Sequence, residues 1–208
     1  MSDERARTEG AGGAGGADRL TALSDGIFAI AMTLLVLDIK VPPGLDDAGF
    51  HDALRDALPD LGAYGLSFVI LAGFWRDHRR IVPLVPRFEG PPLRFALVWL
   101  GTIAFLPFPT SMLSEYASEP LAVAVYAGTV AATNLLELGV LLTGRTGSGR
   151  ADPSVRDTVR SVSTDLWTTA LVFGASVPIA FAARPVAAIW FWLAVIPLRG
   201  LVRRTRAS

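Results

Sequence analysis

Six apolar segments divide this chain, at residues 20–39, 58–75, 95–113, 121–143, 166–183 and 186–202. Each is close to the roughly 20 residues a helix needs to cross about 30 Å of hydrocarbon. Inside lipid, backbone N–H and C=O groups meet no water, so a span must satisfy them internally. Helices do this and open strands do not. The expected fold is therefore an all-α membrane protein with six transmembrane helices. Composition agrees with that class: 51% of the 208 residues are hydrophobic and 18% are charged, with a mean hydropathy of +0.45. Kinks are expected at Pro107 and Pro109 in the third span, Pro178 in the fifth and Pro197 in the sixth, because proline removes a helix donor.

The expected organisation is a cytoplasmic tail at 1–18, Gly/Ala-rich, charged and without a fold, then a six-helix domain at 19–204 and a short tail at 205–208. Asp38, Lys40 and Val41-Pro42-Pro43 follow the first apolar run, with no small-residue cleavage pattern. The run is thus expected to be a retained span rather than a signal peptide. With six spans and the N-terminus inside, 16 of the 19 basic residues fall on the cytoplasmic side; Lys40, Arg55 and Arg184 do not. The positive-inside rule then places both termini in the cytoplasm of a multi-pass cell-membrane protein. The opposite side is acidic, with Asp38, Asp46, Asp47, Asp52, Asp56 and Asp60 on or near one loop. That is either the solvated face left by the basic bias or a field that gathers cations. Residues 50–58, FHDALRDAL, fit a short amphipathic helix at the outer interface.

Several function classes drop out. There is no cysteine, which removes disulfides and thiolate metal sites, and only two histidines, His51 and His78. No nucleophile elbow, metalloprotease helix, P-loop or dinucleotide-binding glycine motif occurs. The chain is not expected to be an enzyme, to hold a cofactor or to bind nucleic acid.

What remains are ionisable residues in or beside spans: Asp25, Asp77, Glu137 and Asp165. Such groups face protein or water rather than lipid and are candidates for function. Asp77, within WRDHRR, is expected to pair with an interfacial arginine, and Asp165 to lie at a span boundary. Glu137 lies about two turns inside the fourth span. It is expected either to reach the interface or arginine, or to serve function. Ser24 and Asp25 precede the apolar run of the first span. They suit a helix cap, or a carboxylate met by donors from another helix such as Trp75 and His78 at similar depth. Arg19 stands six residues from Asp25, a poor spacing for a pair on one helix. Ile27, Ile30, Leu34 and Leu37 form one helical stripe flanked by Thr33, which suits contact with lipid or with another helix.

RLTALSDGIFAIAMTLLVL, followed by KVP, resembles the first helix of the lysosomal and bacterial potassium-channel family, which is marked by R-x-x-x-F-S-D. Arg19, Ser24 and Asp25 match, while Leu23 stands where phenylalanine is usual; Trp75 and His78 in FWRDH look like the second-helix pair of that family. The resemblance implies a homotetramer in the bilayer, built around copies of the first helix and conducting potassium with modest preference over sodium. It places the constriction at Ile30, Thr33, Leu34 and Leu37. It makes Arg19, Ser24, Asp25, Trp75 and His78 a network that supports the pore helix. No metal is implied beyond permeating potassium. The competing class is a proton-coupled secondary transporter using Asp25, Glu137 or Asp165.

Overall fold

The computed structural model describes residues 2–145, 153–182 and 192, with side chains from residue 16 onward. Among the described residues the secondary structure is entirely helical. Helix α1 spans Ser2–Leu34 and tightens into a 3-10 turn at Leu35–Asp38. Helix α2, Asp47–Asp56, leads almost directly into α3, Leu58–Ile81. The remaining helices are α4 (Pro91–Phe105), α5 (Pro107–Glu115), α6 (Pro120–Gly144) and α7 (Pro153–Ala182).

Proline sets most of these starts. Pro91, Pro107, Pro120 and Pro153 each open a helix, where the missing N–H would have no intrahelical partner and φ is already helical. Gly90 before Pro91 adopts φ +61°, a left-handed turn that a side chain would strain. Asp46 caps α2 by accepting the Gly49 N–H at 2.8 Å, and α2 buries none of its residues. This is the expected amphipathic helix, three residues earlier than its sequence reading. Pro107 does more than kink the third span: it separates α4 from α5 at Leu106. Pro178, by contrast, lies inside α7, which continues to Ala182.

Among the described residues, five segments are long and apolar enough to cross a membrane: Gly16–Asp38, Asp47–Leu84, Pro91–Glu115, Pro120–Gly144 and Pro153–Ala182. The sixth expected span lies outside the described residues except for Trp192. α6 is the most enclosed, with 56% of its apolar window buried against 28% for α1 and for α7. It packs on α7 and α4, while α3 packs on α5, and α1 on α4 and α3.

Lipid tails are as apolar as leucine, so close packing and interhelical hydrogen bonds hold such helices together. Both are present. Gly139 lets α6 approach α4: a Cβ there would fall 2.7 Å from the Phe95 ring. Thr133 on α6 hydrogen-bonds Thr102 on α4 at 3.0 Å. Ser67, Thr110 and Tyr126 join α3, α5 and α6 through contacts of 2.8 and 2.9 Å. Since Thr110 donates to the Leu106 carbonyl, proton bookkeeping gives the chain Tyr126 to Ser67 to Thr110 to Leu106. Trp192 donates to Ser176 Oγ at 2.7 Å and stacks on Tyr126 and Phe173.

Candidate functional site

Helix α1 has two unlike faces. Phe28, Ala31 and Leu35 are at most 2% exposed and enter the core, whereas Ile30, Leu34 and Leu37 are 61%, 41% and 63% exposed. Ile27, the first member of the expected stripe, is partly buried against the core. Thr33 is exposed beside them, and its hydroxyl donates to the Ile30 carbonyl at 2.8 Å. Its oxygen lone pairs stay on the open face. The 3-10 turn begins two residues later.

One turn before the stripe, Asp25 anchors α1 to α3. Trp75 Nε1 donates to Asp25 Oδ1 at 2.9 Å, and Arg79 Nη1 lies 3.8 Å from Oδ2. The Arg79 guanidinium also sits 5.6 Å from the Trp75 ring centroid. Trp75 and Arg79 are one helical turn apart, so a single face of α3 presents an indole donor and a cation to the same carboxylate.

The other residues of the expected network are placed differently. Ser24 is buried, but its hydroxyl donates to the Leu20 carbonyl of its own helix at 2.7 Å. Arg19 is exposed and has no pairing with Asp25 among the described residues. His78 makes no hydrogen bond to Asp25; it is buried in the core, where it stacks on Trp99 with ring centroids 4.6 Å apart. Trp99 in turn meets Phe28 of α1 at 5.7 Å. Sequence reasoning missed Arg79 and Trp99. Arg79 was legible as the i+4 neighbour of Trp75; nothing in the sequence pointed Trp99 toward α1.

The other carboxylates divide sharply. Asp77 meets Arg76 at 3.3 Å and Arg80 at 3.5 Å, and Arg80 reaches Asp165 of α7 at 3.9 Å. Glu137 neither reaches the interface nor pairs with an arginine: it is 1% exposed, and neither oxygen has a hydrogen-bond partner. Among the described residues, no group of three or more His, Asp or Glu is placed to hold a metal.

Spanning helices, an exposed hydrophobic face on the first helix and a carboxylate anchor beside it define a multi-pass helical membrane protein. Residues 19–107 match the family model described as endosomal/lysosomal potassium channel TMEM175. A potassium channel of Streptomyces collinus is 34% identical over 193 residues, covering 86% of this chain and 93% of that protein. A potassium channel of Chamaesiphon minutus is 40% identical over 115 residues, 53% of this chain and 57% of that one. The fold is similar to the crystal structure of a lysosomal potassium-selective channel TMEM175 homologue from Chamaesiphon minutus. That likeness has a TM-score of 0.77 at 27% identity and covers 89% of this chain and 96% of the other. The chain belongs to the TMEM175 family.

Proposed function

We propose that this chain is one subunit of a homotetrameric potassium channel of the cell membrane, with six spans, both termini cytoplasmic and α1 lining the conduction path. The observation that carries the reading is the open apolar face of α1, Ile30, Leu34 and Leu37, beside the Thr33 hydroxyl. One subunit cannot enclose a pathway with one helix face, whereas four copies around an axis turn that face into stacked rings. The potassium-channel names of the bacterial relatives and of the similar structure support the same reading.

The chain contains no T-V-G-Y-G filter of backbone carbonyls. In this reading a dry apolar ring excludes the hydrated ion, and widening the ring restores wetting and conduction. Potassium, more weakly hydrated than sodium, passes at the lower dehydration cost, which gives a modest preference. Asp25, held by Trp75 and Arg79, fixes the rotation of α1 so that Ile30 faces the axis. Ser24 helps by tying off its own hydroxyl within the helix. His78 completes the support through its stacking on Trp99; Arg19 joins it by the family resemblance, not by a contact among the described residues.

Purified protein in liposomes should carry potassium flux that exceeds sodium flux and persists without a proton gradient. Flux that requires a proton gradient would favour the coupled-transporter reading.

A further inference from the structure

The interior of the bundle carries a cluster of polar atoms that the pore reading leaves without a task. Thr102 of α4 meets Thr133 of α6, and Phe95 of α4 lies against Gly139 of α6. These two pairings fix an antiparallel register in which Trp99 of α4 falls beside Glu137 of α6. Both are buried, at 0% and 1% exposure. Trp99 Nε1, both Glu137 oxygens and His78 Nε2 are all without hydrogen-bond partners. An indole donor and a carboxyl acceptor thus sit at one level on packed helices, each unsatisfied. Leaving buried polar groups unpaired is costly, and more so in a low-dielectric interior.

We propose that Trp99 and Glu137 form a conformational latch: the protein has a second state in which α6 shifts against α4 and the Trp99 indole donates to the Glu137 carboxyl. The latch reaches the pore helix directly, because the same indole packs on Phe28 of α1 and on His78 of α3. Phe28 lies two residues from Ile30, so a shift of the Trp99 ring is transmitted to the helix that carries the constriction. The inference rests on the channel reading for its functional consequence, though not for the contact itself.

The charged surroundings allow the pairing. α3 presents His78 and Asp77, the latter already engaged by Arg76 and Arg80. From α7 comes Asp165, near Arg80, while Arg156, Asp157 and Arg160 are exposed. The one charged residue of α4, Arg94, is exposed, as is Glu115 of α5. Among the described groups, the Trp99 indole is a buried donor without a partner at the level of Glu137, and His78 Nε2, on the ring stacked against it, is likewise unpartnered.

Two measurements on the full-length protein in liposomes test this. Potassium flux is compared among wild type, Trp99→Phe, Glu137→Leu and the double variant. Each single change should alter flux by roughly tenfold, about 1.4 kcal/mol, in the same direction, and the double variant should match either single one. Additive effects would overturn the latch. Difference infrared spectroscopy then assigns the Glu137 carboxyl band by its loss in Glu137→Gln, a near-isosteric change that keeps the helix packed. Trp99→Phe should move that band, and an unmoved band overturns the contact. A wild-type protein without potassium flux would end the channel reading instead, and the infrared result would still decide whether Trp99 and Glu137 meet.

Discussion

Asp25 receives one hydrogen bond from Trp75 and the charge of Arg79, yet its side chain is 44% exposed. Solvent screening therefore keeps the anchor modest, on the order of 1 kcal/mol for the Trp75 hydrogen bond. Its value is orientation, since three groups on two helices fix one rotation of α1. Asp25→Ala should lower the yield of assembled oligomer in size-exclusion chromatography, and Trp75→Phe should do so less, because Arg79 still reaches the carboxylate. If Asp25→Ala assembles normally but changes the pH dependence of flux, Asp25 acts as a proton relay instead. A second residue-level contrast lies in the buried hydroxyl chain. Tyr126→Phe leaves only an acceptor idle on Ser67, whereas Ser67→Ala strands the Tyr126 O–H. Thermal unfolding in detergent should therefore show a loss of about 0.6 kcal/mol for Tyr126→Phe, the usual size for such bonds in membranes, and about twice that for Ser67→Ala.

At the scale of elements, α6 approaches α4 closely at Gly139. Gly139→Ala sets a Cβ against the Phe95 ring, and one extra methyl in a packed core costs about 1–3 kcal/mol. Thermal unfolding should register that loss, and Phe95→Leu should relieve part of it; an unchanged Gly139→Ala protein would mean that the two helices are looser than their geometry. Element bounds were legible where punctuation was strong. The fourth apolar segment, expected at 121–143, is α6, Pro120–Gly144, because proline opens it and a charged, glycine-rich stretch follows. They were less legible where charge and helix coexist. α3 continues past Trp75 to Ile81 through WRDHRR, since arginine and histidine at a helix C-terminus suit the macrodipole. The site shows the same limit. Matching depth paired Trp75 with Asp25, but depth says nothing of rotation about the helix axis. Trp75 and Arg79 face α1 on one side of α3, while His78 belongs to the buried side with Leu71, Phe74 and Ile81.

For the whole molecule, the open face of α1 asks for company. A homotetramer is the expected outcome, and mass photometry or cross-linking in mild detergent should find four subunits; monomer alone would leave the stripe facing lipid. The most direct test is then chemical. Ile30→Asn places amides around the axis and lets water persist there, so potassium flux should rise while its preference over sodium falls. Ile30→Leu keeps the ring dry and should change flux much less. Recording potassium and sodium flux for wild type and both variants at equal incorporation separates a pore from a packing surface. Higher, less selective flux in Ile30→Asn alone is the predicted result. Equal flux in wild type and Ile30→Asn, or loss of folded protein without any gain in flux, would contradict a constriction at Ile30.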